Sequence, residues 1–295
     1  MTKAKSNYGN ESIVSLKGPD KVRKRPSVIF GSDGIEGCQH SIFEILSNSI
    51  DEAREGHGDK IIVTRYKDLS IEIEDFGRGI PVDYNNREKK YNWELVFCKL
   101  YAGGKYNNND GSHYEYSLGL NGLGLCATQF ASEYMEAEIH NGGHRYNLRF
   151  EKGFNAQKDG KGFEKKAIRG KKTGTRIKWK PDLDVFTDIE VSKEYFEETL
   201  KRQAVVNSGL LFIFKWQNDD GSFEESEFLY KDGIKDYLME IVGDKGLTTP
   251  QFYQAQRTGR DRKDRPEYRV KLSVAFCFSN RVERTEFYQN SSYLE

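Results

Sequence analysis

Three observations in the 295-residue sequence predict an α+β fold, an α/β sandwich whose mostly antiparallel sheet carries its helices on one face. One long stretch, residues 37–56, places apolar side chains at helical spacing. Several short segments alternate apolar and polar residues between polar turns, the pattern of antiparallel strands with one solvated face. Helical and strand patterns intersperse up to about residue 235, after which a second, unfinished pattern of strands begins.

Taken in order, residues 1–20 are polar and read as an arm rather than core. In the helix at 37–56, Ile42, Phe43, Leu46, Ile50 and Ala53 fall on one side. Strands are expected at 60–66 and 69–74, and a helix at 92–101. Residues 102–118, rich in Gly, Asn, Ser and Tyr, read as a mobile loop. A helix at 123–130 precedes strands at 134–140, 144–151 and 175–180. A helix at 192–207, a strand at 210–215, a turn at 217–222 and a short helix at 234–242 follow. Residues 244–267 are polar with basic and acidic residues mixed and read as a loop or linker, and 268–278 with 284–289 read as a hairpin.

Composition narrows the function classes. Hydrophobic residues make up 36%, and the 13% of aromatics, each with a large area to bury, supply a core. With 46 basic residues against 46 acidic ones, neither disorder nor a nonspecific nucleic-acid coat is indicated. Cys38, Cys98, Cys126 and Cys277 form no CxxC pair, which argues against a zinc site. Cys98 and Cys277 stand in apolar runs and are expected as buried free thiols, in keeping with a reducing cytosol. No apolar run approaches the about 20 residues that span a bilayer, and the N-terminus carries no hydrophobic signal segment. A cytoplasmic protein with no membrane partner is expected.

Three segments carry candidate chemistry. On the first helix Glu44, Asn48 and Asp51 lie within about 60° of one another, opposite the apolar stripe, with His40 one turn before Glu44. A His that bonds a Glu can orient it, and the Glu can then take a proton from water. Asn48 offers a neutral oxygen to Mg²⁺, which often takes only one or two protein ligands. Residues 75–81 read Asp-Phe-Gly-Arg-Gly-Ile-Pro, a carboxylate followed by a glycine-rich turn that lets backbone approach a planar ligand. Asp75-Phe76-Gly77 also spells a kinase metal motif, but no other kinase signature accompanies it. Gly119-Leu-Asn-Gly-Leu-Gly124 opens a helix whose N–H groups suit phosphate oxygens, in neither dinucleotide nor Walker order. Each string alone is better served by a bland reading, such as a solvated helix face or a simple turn. Their order along the chain, with Thr173-Gly174-Thr175 opening a later strand, joins them into one ATPase reading.

With these residues the sequence closely resembles the ATPase region of the B subunit of bacterial type IIA topoisomerases, DNA gyrase and topoisomerase IV. That region belongs to the GHKL (Bergerat) ATPases, with mismatch-repair MutL, the ninety-kilodalton heat-shock chaperones and sensor histidine kinases. Markers of the topoisomerase branch are Val22-Arg-Lys-Arg-Pro26, Tyr101-Ala-Gly-Gly-Lys105, Lys172-Thr-Gly-Thr175, Phe186-Thr187, Asn207-Ser-Gly209 and Tyr230-Lys-Asp-Gly-Ile234. The resemblance implies a dimerisation arm at 1–20, a GHKL ATPase domain at 21–235 and the incomplete start of a transducer domain at 236–295. Glu44 resembles the general base and His40 its orienting partner. Asn48 resembles the Mg²⁺ ligand. Asp75 looks like the adenine acceptor, beside Gly79, Ile80 and Pro81, with Thr175 supporting the base through water. Lys105, Gly119, Leu120, Asn121, Gly122, Leu123 and Gly124 resemble the phosphate contacts, and 102–118 the ATP lid. Glu52 and Arg78 match an ion pair at the pocket mouth. Tyr8 and Ile13 match the arm that embraces the second copy of the chain.

Ser47, Asn121, Leu118 and Ile29 depart from the usual Asp, His, Gly and Tyr, leaving base, metal ligand and adenine carboxylate in place. The implied activity is ATP hydrolysis in a type IIA DNA topoisomerase, with ATP and Mg²⁺. Its partners would be a second copy on ATP binding, the DNA-cleaving A subunit, and DNA in the full-length protein. In this family a Lys of the second domain reaches the γ-phosphate from beyond the segment at 290–292, and the sequence ends at Glu295 before it. Slow hydrolysis and poor dimerisation are therefore expected. Alternatives are a MutL-type ATPase, against which the Tyr-Ala-Gly-Gly-Lys segment and the arm speak, and a nucleotide-gated binding module with little turnover. The basic residues at 257–265, interleaved with Asp261 and Asp264, read as a solvated surface or a phosphate contact.

Overall fold

The computed structural model describes residues 12–102, 118, 122–157, 161–260, 262–264, 267–289 and 291–294. Seven α-helices are found there: α1 Asp20–Arg23, α2 Pro26–Phe30, α3 Ile35–Arg54, α4 Asn92–Cys98, α5 Gly124–Phe130, α6 Lys193–Val206 and α7 Ile234–Val242. The strands are β1 Lys60–Arg65, β2 Ile71–Asp75, β3 Tyr84–Asn85, β4 Lys90–Tyr91, β5 Ser132–Asn141, β6 His144–Glu151, β7 Phe154–Asn155 and β8 Glu164–Ala167. They continue as β9 Gly174–Pro181, β10 Leu211–Gln217, β11 Phe223–Phe228, β12 Gln251–Gly259, β13 Tyr268–Phe276, β14 Phe287–Gln289 and β15 Ser292–Leu294.

Nine strands form one sheet in the order β11-β10-β1-β2-β9-β5-β6-β7, with β8 also on β6. Only β1 and β10 run parallel in it, so the expected mostly antiparallel sandwich is present. Alternation decides which face is covered. Ile61, Val63, Ile71, Ile73, Ile177, Trp179, Met135, Ala137, Leu148 and Phe150 point into the core, where α3 packs against β1, β2, β9 and α5. On the other face the register sets Glu72, Lys178, Glu136 and Arg149 side by side across four strands. Arg176 reaches Glu138 at 3.1 Å on the same face. Opposite charges on directly facing residues stabilise a solvated sheet surface.

Helix α3 is more deeply enclosed than an amphipathic stripe requires. Besides Ile42, Ile45, Leu46 and Ile50, its Ser41, Ser47, Ser49 and Asp51 are buried. Part of the polar side therefore looks into the molecule, while His40 stays exposed and Glu44, Asn48 and Glu52 are half-buried.

Several expectations need correction. Residues 251–259, expected within a linker, form strand β12, paired along its length with β13. The expected hairpin of 268–278 with 284–289 does not form, because β13 pairs with β12 and β14 pairs with β15. Both faces of the β12–β13 ribbon are mostly exposed, so no buried side imposes an alternating pattern on its residues. Strand β11 follows the expected turn at 217–222, with every side chain exposed or half-exposed. The most buried thiols are Cys38 and Cys126, whereas Cys98 and Cys277 are half-buried; all four are free. Burial pushes the Cys38 and Cys98 thiols up to about 12. The lid expected at 102–118 lies, except for residues 102 and 118, outside the described residues. No helix among the described residues is long and apolar enough to cross a membrane.

Candidate active site

Strand β2 ends on Asp75, which the sheet brings against α3 from below. Asp75 is 8% exposed. Its Oδ1 accepts the Gly77 N–H at 3.0 Å and the Thr175 N–H at 3.1 Å, and its Oδ2 accepts the Ser49 hydroxyl at 3.0 Å. Burial pushes the carboxyl above the usual carboxylate range, the nearby negative charge of Glu52 adds to this, and the three hydrogen bonds oppose it. A carboxylate has about four acceptor sites. Three are occupied here, so one more donor, such as an exocyclic amine, fits.

The turn after Asp75 is built by close backbone approach. At Gly79, with φ 80°, a Cβ would meet the His140 carbonyl, its carbon only 3.0 Å away. The Gly79 carbonyl accepts from Asn141 Nδ2 at 2.7 Å, and the Ile80 N–H donates to Thr175 Oγ1 at 3.2 Å. A Cβ on Gly77 would lie 3.0 Å from Glu52 Cβ. Glu52 takes Arg78 in a fork, Nε to Oε2 at 3.0 Å and Nη2 to Oε1 at 2.8 Å. Pro81 is exposed at the end of this turn.

One turn and more along α3 lies the second carboxylate. His40 Nε2 sits 3.1 Å from Glu44 Oε1. That hydrogen bond raises the imidazole pKa above its ordinary value, with help from the Glu44 charge and against burial. Asn48 directs Nδ2 to the Glu44 carbonyl at 2.8 Å, which turns its Oδ1 the other way. Ser47 is buried and donates to the same carbonyl at 3.0 Å. The Glu44 carboxylate lies against Gly124, the first residue of α5. A Cβ there would come within 2.6 Å of Glu44 Cδ and closer still to Oε2.

Glu44, His40, Asn48, Glu52, Asp75, Arg78, Gly79, Ile80 and Thr175 thus surround one region between α3, β2 and the start of α5, with Gly122, Leu123 and Gly124 entering from the glycine loop. Lys105, Gly119, Leu120, Asn121 and Tyr8 lie outside the described residues. Ile13 stands apart, 77% exposed beside Val14 at 81%. Two residues join the site that the sequence does not single out for it, Ser49 and Asn141, which hold Asp75 and Gly79, while Asp51, placed beside Glu44 and Asn48 by the sequence, accepts the Leu118 N–H on its Oδ1 at 2.8 Å. Their part depends on how α3 and β5 sit on β2, which no local pattern reveals. A separate hollow of about 590 Å³, lined by Asp83, Tyr84, Tyr91, Phe163 and Lys165 among others, holds none of these groups. The chemistry, not the size of a cavity, marks the site.

The model of histidine kinase-, DNA gyrase B- and HSP90-like ATPases matches residues 34–184, which contain every candidate site residue except those of the arm. The B subunit of DNA gyrase from Thermotoga maritima is 34% identical over 92% of the chain and 41% of its own length. The B subunit of DNA topoisomerase 4 from Staphylococcus aureus is 35% identical over 95% of the chain and 40% of its own length. The chain therefore spans less than half of these relatives. The 43K ATPase domain of Thermus thermophilus gyrase B, solved with an aminocoumarin, superposes with a TM-score of 0.68 at 26% identity, covering 90% of this chain and 63% of that one. The topoisomerase IV ATP-binding domain of Francisella tularensis, solved with an inhibitor, gives 0.63 at 29% identity, over 83% and 65%. With over half of the chain inside that model, and the sheet and site arranged as described, the chain belongs to the family of histidine kinase-, DNA gyrase B- and HSP90-like ATPases.

Proposed function

We propose that the chain binds ATP with Mg²⁺ between α3, β2 and α5 and hydrolyses it, as the ATPase part of the B subunit of a type IIA topoisomerase. The observation that carries this is the Glu44 carboxylate, held by His40 and seated against the first residue of the helix that the glycine loop opens. A base in that position faces whatever phosphate the loop amides hold.

In this reading Asp75 accepts the exocyclic amine of adenine, and Gly77 and Gly79 let the ring approach the backbone. Glu52 and Arg78 close the mouth, with Ile80 and Pro81 beside the base. Glu44 takes a proton from the attacking water while His40 keeps the carboxylate aimed. Gly119 to Gly124 and Lys105 hold the phosphates. Among the described residues no three His, Cys, Asp or Glu side chains converge on a cation position. A Mg²⁺ ion would then be held by Asn48 Oδ1 with phosphate and water oxygens, as suits this metal, and would supply charge neutralisation on the phosphates. The exposed Ile13 and Val14 suit an arm that packs on a second copy when ATP closes a dimer gate. As in a B subunit of that kind, the DNA-cleaving A subunit, together with DNA, would be the partner of that gate, in the cytoplasm.

Titration with a nonhydrolysable ATP analogue and a separate phosphate-release assay test the reading. Saturable, Mg²⁺-dependent binding with slow release is expected. Binding without any release would favour the nucleotide-gated module, and no binding at millimolar analogue would end the proposal. A narrower test is Gly124→Ala. The new methyl would push the end of the Glu44 side chain aside, and Glu44 Cβ, 3.1 Å from it, needs to give by only a few tenths of an ångström. Thermal stability should hold while turnover falls at least about tenfold, the order expected for a misplaced base.

A further inference from the structure

On the outer face of the sheet the row through Glu72 alternates its charges, and the row at the β8 corner does not. There the register sets Lys166 of β8 directly opposite Arg145 of β6, with His140 of β5 next in line. Like charges facing each other across strands destabilise a sheet. The next row, Glu164, Asn147, Glu138 and Arg176, mixes the signs. Glu138 serves Arg176 at 3.1 Å and stands 3.8 Å from His140 Nε2. The Arg145 Nε is buried with no hydrogen-bond partner among the described residues. Lys165 leaves β8 on the opposite side and is neutralised by Asp83 at 2.9 Å. Among the described residues no ion pair engages Arg145, Lys166, Arg169, Lys171 or Lys172. The segment that carries the last three is fixed at this corner. At its start the Ile168 N–H donates to the Gly143 carbonyl at 3.0 Å, and just past its end Gly174 pairs with His140. Burial, and then the positive charge of Lys172, hold the His140 imidazole below its ordinary value.

We propose that this corner, through Arg145, Lys166, Arg169, Lys171 and Lys172, is an anion-binding surface for the phosphodiester backbone of duplex DNA, outside the nucleotide cleft. Residues 161–172 hold six basic residues and one acidic one in a chain with 46 of each, so the excess is local. Neighbouring strands lie about 4.8 Å apart, which lets Lys166 and Arg145 straddle one phosphate. The exposed residues Arg169, Lys171 and Lys172 extend the cationic line beyond the strand. An anion between Arg145 and Lys166 relieves their repulsion, and the described residues supply none. Lysines on an edge strand also discourage edge-to-edge pairing, but that role requires neither the buried guanidinium nor the cations after the strand. The choice of DNA among polyanions rests on the topoisomerase reading; the cationic corner itself does not.

Fluorescence anisotropy of a short labelled duplex of mixed sequence, titrated with the whole chain at several salt concentrations, tests this. Affinity should fall along a slope of log K against log salt of about −4, as four or five neutralised phosphates give. Lys166→Gln and Lys171→Gln should each flatten that slope by about one, and the pair by about two. Lys215→Ala, near the opposite edge of the sheet and paired there with Glu225, should leave it unchanged. An unaltered slope in the Lys166 and Lys171 variants places duplex binding elsewhere, as at 257–265, and overturns the proposal. Self-association of Lys166→Gln with duplex binding intact marks the lysines as edge protection and does the same. So does displacement of the duplex by inorganic phosphate more strongly than by chloride at equal ionic strength, the behaviour of a pocket for small anions. Absence of duplex binding while the nonhydrolysable ATP analogue still binds defeats this surface alone. Absence of both defeats the topoisomerase reading with it.

Discussion

Replacing Glu44 by Ala should reduce ATP turnover by about 10²–10⁴-fold, the usual contribution of a positioned general base, while analogue affinity changes only a few-fold. The asymmetry follows from geometry. The carboxylate touches His40 and the start of α5, not the group that would hold the purine. Asp75 stands on another element with its own set of donors. An interaction made only as water attacks affects turnover and not binding. Truncation also opens space beside Gly124, so overpacking cannot explain a loss of activity. Single-turnover phosphate release, measured beside calorimetric titration, separates the two quantities. Unchanged turnover would show that the base lies elsewhere, and parallel losses in both would show that Glu44 mainly builds the pocket.

The fold was largely legible because periodicity and burial agree where a sheet has one covered face. Residues 134–140 and 175–180 alternate, and their inward members Ala137, Ile139, Ile177 and Trp179 are buried. The 251–259 strand was not legible, since a ribbon solvated on both faces carries no alternation. The chemical residues on α3 and after β2 could be picked out by type and order. The contacts that hold them could not. Ser49 faces Asp75 only because α3 crosses the end of β2 in one register, and a serine in a helix shows no sign of such a partner. Gly124 reads as loop chemistry in sequence, whereas in the structure its missing side chain is space taken by Glu44. Arg54, at the end of the same helix, has bonds that reach residues 153 and 237 positions away, beyond any local pattern.

The carboxylate at the other end of the cleft leads to an expectation that joins stability, affinity and base preference. In Asp75→Asn the amide oxygen should stay with the two backbone donors, Gly77 and Thr175, because those N–H groups cannot turn. The amide NH₂ then replaces Oδ2, and Ser49 can rotate its hydroxyl to accept. An exocyclic amine of adenine would now meet a donor. An unpaired buried polar contact costs about 1–3 kcal/mol, so ATP affinity should fall about 5–150-fold. A 6-oxo purine nucleotide, which presents an acceptor instead, should gain on ATP in the variant. Stability should move the other way with pH. Burial raises the carboxyl pKa in the folded state, so the native protein holds that proton more tightly than the unfolded chain does. Stability is then lost as pH rises from the unfolded value through the folded one, and the loss persists at neutral pH. Asparagine carries no such proton. The urea midpoint of the variant relative to the parent should therefore improve between pH 4 and pH 7, the window that opens just above the ordinary value of 3.8. If the difference stays flat with pH while affinity for ATP and the 6-oxo analogue is unaltered, Asp75 neither titrates in the fold as described nor meets the base.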